Sequence, residues 1–367
     1  MTPVKATGPA RNPMTAQGHH HRLAVVVVLA AAAVLFAACS SAATTAPTAA
    51  PTAAPTAAPS TAPSAAAATP EPGTFQMGIE PWLGYGPWRV AEANGLFAKN
   101  GVDAKITNFT TDDEINAALA SGQLDGANIA THTALRLAAA GLPIKIVLLL
   151  DQSNEADAIL AGPSITSIAD LKGKKVAYEE GTTSDILLRY ALSENGMTID
   201  DIEKVPMAAA DAGAAVIAGR VDAAVTYEPY LTVALQQDPK FKLLYTAKEK
   251  PGIVGDVFVV RDQVLKEKPG QIQALLAAWD DAVAAYNADK PGSQAIIEKS
   301  VEAEAGSLKT AFDGVLLYSL AEAKQLLNGD YLQTLADVKK IAQDAGIMKG
   351  DVDEKAMVVT DFVNAAP

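Results

Sequence analysis

From Thr74 onward, short apolar runs alternate with stretches in which apolar residues recur every three or four positions. Such runs are typical of buried strands, and the three-to-four spacing is typical of amphipathic helices. Strand and helix alternating in this way predict an α/β fold with a doubly wound, mostly parallel sheet. The predicted strands are 75–79, 102–109, 124–129, 144–150, 158–161, 174–178, 204–207, 223–226, 242–245 and 256–260. The predicted helices are 88–99, 112–120, 133–140, one from 185, and 209–218, and the chain beyond Pro269 is predicted to be all helical.

Residues 173–192 contain the segment most suggestive of a binding site. A predicted strand is followed by a turn at Gly181, and a helix then begins at Thr182, Thr183 and Ser184. The first backbone N–H groups of a helix lack partners within it and can bind a small polar or anionic ligand. Hydroxyl side chains at this position also cap helices, so the segment alone is compatible with a purely structural role.

An internal repeat at an offset of 97 residues changes this picture. The segment that starts at Ala118 matches the one that starts at Ala215, and Asp125 falls on Asp222. At the same offset Gly84 falls on Gly181. We therefore predict two similar α/β lobes facing each other across a cleft. Ligands of open α/β sheets bind outside the carboxyl ends of the strands, which here are the loops at 82–87, 130–133, 152–154, 181–184 and 227–229.

The first 73 residues predict export and anchoring. Sixteen apolar residues, 23–38, follow a basic segment that ends at Arg22, which is typical of a signal peptide (1–38); Met14 is an alternative start. They end in L-F-A-A-C, which resembles the lipobox of bacterial lipoproteins and makes Cys39, the only cysteine, the expected lipidation site. An uncleaved membrane anchor is the alternative. Residues 39–73 are rich in Ala, Pro and Thr and predict a disordered tether.

Charge and motif content exclude several functions. The chain has a formal net charge of −13, and without residues 1–38 it carries 26 basic and 42 acidic residues, or −16. Nucleic acid is therefore not an expected partner, because phosphate binding needs clustered basic residues. Beyond residue 38 the only histidine is His132, so neither a metal site nor a Ser-His-Asp triad is expected. No nucleotide-binding motif is present, and no cofactor or catalysis is predicted.

Aromatic and acidic residues in the predicted strand-end loops are candidates for the pocket. Trp82 and Tyr85 stand in a loop stiffened by proline and glycine, where aromatic rings often form a pocket wall. Glu228 lies at the repeat equivalent of Thr131 and is either a pocket group or a solvated carboxylate. Asp151 and Asp256 flank apolar strands and are interpreted as hinge or rim groups. Packing in a core is the alternative for the aromatic pair.

Several segments together resemble one family, the periplasmic solute-binding proteins of ABC importers for nitrate, aliphatic sulfonates, taurine and thiamine pyrimidine precursors. They are W-L-G-Y-G-P, A-N-G-L-F-A-K-N-G-V-D, G-L-P-I-K-I-V, D-Q-S-N-E-A-D-A-I-L-A, D-L-K-G-K-K-V-A-Y-E-E-G-T-T-S, V-D-A-A-V-T-Y-E-P-Y and P-G-I-V-G-D-V. The resemblance covers about 74–297. It implies a two-lobed type II periplasmic-binding-protein fold: 74–161 as the first lobe, 162–255 as the second, and 256–367 returning to the first with C-terminal helices.

The resemblance also implies a function and a set of ligand contacts. The expected protein is a monomeric, lipid-anchored receptor on the extracytoplasmic side of the membrane, which passes a small solute to a permease and its ATPase. An enzyme resembling the pyrimidine synthases of thiamine biosynthesis, or a ligand-sensing ectodomain, is the alternative; the synthases rely on cysteine-rich and histidine motifs that this chain lacks. The implied ligand-binding residues are Trp82, Tyr85, Thr131, His132, Thr182, Thr183, Ser184 and Glu228.

One departure from the family pattern bears on the ligand. Glu155 stands where the family often has glycine, and Glu179, Glu180 and Glu228 add negative charge. These carboxylates argue against a small anion such as nitrate and favour a neutral, zwitterionic or cationic heteroaromatic solute.

Overall fold

The computed structural model describes residues 69–365. Its strands are β1 (Thr74–Ile79), β2 (Asp103–Asn108), β3 (Gly126–Ala130), β4 (Ile144–Ser153), β5 (Asp157–Ala161), β6 (Lys175–Tyr178), β7 (Glu203–Pro206), β8 (Ala223–Tyr227), β9 (Lys242–Thr246), β10 (Gly255–Arg261) and β11 (Val315–Leu317). Its helices are α1 (Gly86–Ala93), α2 (Leu96–Lys99), α3 (Asp112–Ala120), α4 (Thr131–Ala139), α5 (Thr183–Glu194), α6 (Ala209–Ile217), α7 (Tyr230–Gln237), α8 (Asp262–Glu267), α9 (Pro269–Ala288), α10 (Lys290–Ser300), α11 (Leu320–Leu327), α12 (Tyr331–Asp344), α13 (Glu354–Met357) and α14 (Asp361–Ala365).

The strands form two sheets with the same order of neighbours. The first sheet runs β2-β1-β3-β10-β4, with β11 beside β4, and the second runs β7-β6-β8-β5-β9. In each sheet one strand is antiparallel to both neighbours, β10 in the first and β5 in the second, while the other pairs of the shared order are parallel. The predicted two-lobed α/β fold is confirmed, and the lobes repeat one five-stranded unit.

Matching hydrogen bonds support the internal repeat. Asp125 donates its N–H to the carbonyl of Gln76 and accepts the N–H of Gln76 on its carboxylate, both at 2.8 Å. Asp222 makes the same two bonds with Lys175, both at 2.9 Å. The offset of 97 thus holds for Asp125 and Asp222, whereas Gln76 and Lys175 lie 99 residues apart. The connection from first to third strand is two residues shorter in the second lobe, so the sequence match at the first strands is displaced by two.

The passage between the lobes comes earlier than the sequence predicted. We expected the second lobe to begin at Gly162, but β5 pairs with β8 and β9 and belongs to the second sheet. The chain therefore crosses between Ser153, which ends β4, and Asp157. It returns between Thr246, which ends β9, and Gly255.

Two further differences come from a glycine and from an exposed sheet edge. The predicted helix 88–99 is broken into α1 and α2 at Gly95, whose φ of 66° is left-handed. The all-helical prediction beyond Pro269 was wrong at β11, which pairs with the edge strand β4 and covers its free hydrogen-bonding groups. Helix α9 packs on α1, and α12 packs on α4, both against the first lobe. Within residues 69–365 no helix is long and apolar enough to cross a membrane.

Candidate functional site

A small cavity lies where the carboxyl ends of the parallel strands of both sheets meet. The first lobe contributes Glu80, Trp82, Tyr85, Asp112 and Ala130 to its lining, and the second contributes Asp157, Thr183 and Tyr227. Val254 and Asp256, at the return to the first lobe, complete it. Its volume is about 30 Å³, which is enough for one or two water molecules.

The loop after β1 is attached to two buried carboxyl groups. The indole Nε1 of Trp82 donates to Oδ1 of Asp151 at 3.1 Å, and the hydroxyl of Tyr85 donates to Oδ1 of Asp256 at 2.9 Å. Gly84 lies so close to these groups that a methyl group there would overlap the Asp151 carboxylate and the Trp82 indole. The aromatic side chains predicted as a pocket wall therefore reach the cavity with fixed orientations.

An aromatic contact joins the two lobes across the cavity. The ring of Trp82 meets that of Tyr227 edge to face, with centroids 5.8 Å apart and planes at 89°. This T-shaped arrangement is among those that aromatic rings prefer. Tyr227 packs in turn on Tyr230 at 5.5 Å. The two lobes thus share a continuous aromatic wall.

Equivalent aspartates, one from each lobe, begin the two antiparallel strands. Asp256 of β10 lies opposite Ala130, the last residue of β3, and Asp157 of β5 lies opposite Tyr227, the last residue of β8. Ala130 and Tyr227 are themselves 97 residues apart, so the repeat relates the two aspartates. Both are buried and both line the cavity. Each is also placed close after a passage between the lobes.

Two pairs of carboxyl groups in the first lobe are in hydrogen-bonding contact, Glu80 with Asp112 and Asp151 with Asp256. Burial, together with the charge of the partner, raises the pKa of Glu80 and of Asp151 well above the usual range. Burial also raises the pKa of Asp112 and of Asp256 to about 6. Since two carboxylates in contact cannot both ionise without a cation, each pair shares a proton near neutral pH.

Asp157 belongs to neither pair, and the hydroxyl of Ser153 lies beside it. Its side chain is 4% exposed, and burial raises its pKa to about 8. Its Oδ2 is buried and accepts no hydrogen bond within 3.5 Å from any residue in the range 69–365. Buried polar atoms nearly always have partners, so this oxygen, which lies at the cavity, is available to accept a bond from a bound molecule.

His132 and Glu179 lie beside the cavity, and each contacts the backbone of the other lobe. The ring of His132, at the start of α4, lies against the backbone of Gly181 and Thr182 in the second lobe. Burial and the nearby Arg136 lower the pKa of His132 to about 3, so it is neutral at physiological pH. The carboxyl of Glu179 contacts the backbone of Asp112 in the first lobe and accepts the N–H of Ala209 at 3.0 Å, and burial raises its pKa to about 7.

The predicted helix-start hydroxyls divide into three situations. Thr183 lines the cavity. Thr182 caps α5: its Oγ1 accepts the N–H of Ser184 at 3.3 Å and donates to the carbonyl of Glu179 at 2.9 Å. Ser184 is buried in the first turn of α5, outside the cavity lining.

The remaining predicted residues lie near the cavity or away from it. Thr131 shares a hydrogen bond with the hydroxyl of Tyr331 at 3.0 Å and lines a second cavity of about 90 Å³, which Asp151 and Asp256 also line. Glu228 accepts the N–H of Thr232 at 3.0 Å and its hydroxyl at 2.9 Å, and so stabilises the start of α7. Cys39 lies outside the described residues.

Three acids of the lining, Glu80, Asp112 and Asp157, were not predicted from the sequence. For Asp157 the reason is topological: only the carboxyl ends of parallel strands were considered, whereas the antiparallel strand β5 brings its amino end, with Asp157, to the same edge. Asp256, at the equivalent position, was interpreted only as a hinge or rim group. Glu80 directly follows β1 and Asp112 begins α3 just after β2, so the rule itself could have found them.

Comparison with known proteins assigns the family. The family model described as NMT1/THI5 like matches residues 84–292, more than half of the chain. The chain belongs to the NMT1/THI5-like family. It is 28% identical over 279 residues to a protein of Brucella abortus (strain 2308) provisionally named as a binding protein, covering 75% of this chain and 86% of that one. It is 29% identical over 208 residues to the taurine-binding periplasmic protein of Escherichia coli (strain K12), covering 55% and 64%.

One of the relatives is an enzyme. The 4-amino-5-hydroxymethyl-2-methylpyrimidine phosphate synthase of Uromyces fabae is 27% identical over 224 residues, covering 57% of this chain and 65% of that one. Among solved structures, the periplasmic aliphatic sulphonate binding protein of Escherichia coli superposes with a TM-score of 0.67 at 22% identity, covering 80% of this chain and 100% of that one. That likeness shows the fold, a two-lobed periplasmic binding protein.

Proposed function

We propose that this chain is the substrate-binding component of an ABC importer, capturing a small polar or heteroaromatic solute between its lobes and delivering it to a permease and its ATPase. The observation that carries the proposal is a cavity closed by residues of both lobes, with Trp82 in contact with Tyr227 across it. A volume of about 30 Å³ is too small for such a solute, so binding requires the lobes to part and close again.

The two connections between the lobes are suited to that hinge motion. Residues 154–156 and 247–254 lie side by side, and Nζ of Lys248 in the second contacts Oε1 of Glu155 in the first at 2.9 Å. Glu155 is exposed there, so the bridge acts on the hinge rather than on the cavity. A few residues at element ends are enough to absorb the backbone change of domain closure.

Ligand-dependent closure is the direct test of this function. Nitrate, aliphatic sulfonates, taurine, pyrimidines and riboflavin are titrated against the protein, with thermal stability and radius of gyration measured in parallel. We expect at least one small solute to raise Tm and to reduce the radius of gyration. Absence of both effects across small solutes of every charge would contradict a binding function.

The proposed anchor is tested separately. We propose that Cys39 carries a lipid and that residues 39–73 tether the binding body to the extracytoplasmic face of the membrane, supported by the L-F-A-A-C motif and the Ala/Pro/Thr-rich segment after it. A Cys39→Ala variant is expected to leave the membrane fraction and to lose labelling by a fatty-acid probe. A variant that stays membrane-bound would contradict lipidation and favour an uncleaved anchor.

A further inference from the structure

We propose that the solute bound in this cleft is an organic cation, whose ammonium, guanidinium or amidinium group is held between Asp157 of the second lobe and Asp256 of the first. The inference rests on the proposed function, since it names the class of solute that the same cleft receives. Four observations carry it: the charge of the lining, the two equivalent aspartates, the free carboxylate oxygens and the aromatic wall.

The lining is acidic and contains no basic side chain. Four of its ten residues are carboxylic acids, Glu80, Asp112, Asp157 and Asp256, and none is lysine, arginine or histidine. Arg136 lies outside the lining and acts on Asp112 and His132. No lysine or arginine of residues 69–365 acts on Glu80, Asp157 or Asp256, so their ionised forms are open to stabilisation by a bound cation.

The two equivalent aspartates lie where a cation could contact both lobes at once. The repeat places Asp157 and Asp256 at the starts of matching antiparallel strands, one in each lobe, and the charge of Asp256 acts directly on Asp157. When the lobes close, the two carboxylates approach each other. A cation between them turns this repulsion into two attractive contacts, so closure becomes coupled to its presence.

Free acceptor atoms point to an N–H donor as the ligand group. Oδ2 of Asp157, at the cavity, is buried and accepts no hydrogen bond within 3.5 Å from residues 69–365. Oδ2 of Asp151 likewise has no N–H or hydroxyl donor, but its carboxyl group shares a proton with Asp256 and lies outside the lining. Ammonium, guanidinium and amidinium groups donate charge-assisted hydrogen bonds to carboxylates, and these are stronger than neutral ones. An anion would have to lie among the same unpartnered carboxyl oxygens, without a cationic side chain in the lining.

The aromatic wall favours an organic cation over a metal ion. Trp82, Tyr85 and Tyr227 line the cavity together with the acids. Aromatic faces attract organic cations and shield their apolar parts from water. Calcium and magnesium instead require oxygen ligands on all sides. No group of three or more His, Cys, Asp or Glu side chains within residues 69–365 has the arrangement of a metal site.

The experiment compares cations with anions on the purified binding body. Methylammonium, guanidinium, benzamidinium and agmatine are titrated at pH 8, beside nitrate, methanesulfonate and calcium, with Tm and calorimetric affinity measured. We expect at least one organic cation to bind and raise Tm, and the anions and calcium to have no effect. Asp157→Asn and Asp256→Asn should each weaken cation binding by about 30-fold or more, because each removes one buried charge partner. Asp200→Asn, at an exposed carboxylate paired with Lys204, should leave it unchanged.

The outcomes separate this inference from the proposed function. Binding of nitrate or methanesulfonate without any organic cation would overturn the inference and leave the importer function standing, and stabilisation by calcium alone would do the same. A lack of response to every probe would count against both. Cation binding that survives in both folded Asp→Asn variants, with Tm of the empty protein as the check on folding, would show that the cation lies elsewhere and would also overturn the inference.

Discussion

Buried carboxylates occur in two contrasting settings in the first lobe. Asp125, at the amino end of β3, is paired with Lys268 at 2.8 Å and with Arg261 at 3.8 Å. Asp151 and Asp256, at the opposite edge of the same sheet, contact each other and receive N–H or O–H bonds only from aromatic side chains. Lysine and arginine side chains therefore pair with the carboxylate that supports the fold, whereas none in the range 69–365 pairs with Asp151 or Asp256 at the strand ends that form the cleft.

The second lobe repeats the contrast. Asp185 in α5 is almost fully buried and accepts from Nε of Arg189 at 2.6 Å. Asp157, which is equally buried, has a free carboxylate oxygen in the described part of the chain. Burial alone therefore does not identify a functional acid. The acids that we assign to the site are buried, face the cleft and lack a cationic partner.

Replacing a buried aspartate by asparagine should change the free energy of unfolding very differently in the two settings. Asp125→Asn should destabilise the protein by about 3 kcal/mol, because it leaves Lys268 and Arg261 without their charge partner. Asp151→Asn should leave the empty protein equally stable or stabilise it, since it removes a like-charged neighbour and its amide oxygen can still accept from Trp82. Urea unfolding measures both changes. Equal losses of unfolding free energy in the two variants would erase the contrast.

The next effect concerns the loop that is attached to the acidic pair. Gly84→Ala should cost about 2 kcal/mol of unfolding free energy, because the new methyl group overlaps the Asp151 carboxylate and the Trp82 indole. Gly162→Ala is the matched control, because a methyl group there meets only an ordinary contact at 3.6 Å. The two variants are compared by urea unfolding and by tryptophan fluorescence. A Gly84→Ala protein as stable as the control would show that the loop is not fixed on the acids.

The free energy of unfolding of the ligand-free protein should fall by about 1–2 kcal/mol between pH 6.5 and 8.5, because the cleft acids lose their protons in this range. Burial raises the pKa of Asp157 to about 8, so the folded state binds a proton that the unfolded chain has released. Stability is therefore highest at low pH and falls as the pH rises towards 8. Glu179, whose pKa is raised to about 7, acts in the same direction.

His132 affects stability in the opposite direction below pH 6.5, which is why the comparison begins at that pH. Its pKa is lowered to about 3, so its contribution is present above the unfolded value near 6.5 and is lost as the pH falls. Above pH 6.5 the contribution of His132 is constant, so the change in stability with pH comes from the carboxyl groups. Asp157→Asn should reduce the fall in Tm between pH 6.5 and 8.5 and leave the part that is due to Glu179, Glu80 and Asp151, whereas Asp200→Asn should preserve the whole fall. A wild-type protein whose Tm rises with pH in this range would contradict the protonated cleft.

The smallest predicted effect separates a cap from a contact at the start of α5. Thr182→Ala should lower the free energy of unfolding by about 1 kcal/mol, because Thr182 caps the helix. Thr183→Ala should instead weaken solute binding by about 1 kcal/mol with little loss of stability, since Thr183 lines the cavity. Unfolding and binding are measured on both variants. A reversed pattern would move the ligand contact from Thr183 to Thr182.

The fold was largely readable from the sequence because its periodicities are local. Helix α3 was predicted with its observed limits, 112–120, and β5 and β10 were placed within one residue at their starts. Whether two strands pair in parallel or antiparallel is decided by the tertiary fold, so the antiparallel direction of β5 and β10 could not be predicted from apolar runs. That missing direction is why the two aspartates that begin these strands were not recognised as a pair.

The acids that the sequence placed near the ligand have different surroundings in the structure. The sequence pointed to Glu155, Glu180 and Glu228 as charges near the ligand. Glu155 bridges the hinge, Glu180 is exposed and Glu228 holds the start of α7. Glu179 and Glu228 both act on cleft acids, Glu179 on Glu80 and Glu228 on Asp157, although neither lines the cavity. Which acids meet depends on how two distant loops approach each other, and no local pattern records that distance.

The most direct test of a cation-binding cleft is calorimetric titration of the tightest-binding organic cation at pH 6 and pH 8, in buffers that differ in ionisation enthalpy. The account predicts tighter binding at pH 8 and release of protons to the buffer, because the cation ionises Asp157 and the acid pair formed by Asp151 and Asp256. Affinity that is the same at both pH values, or proton uptake on binding, would contradict it.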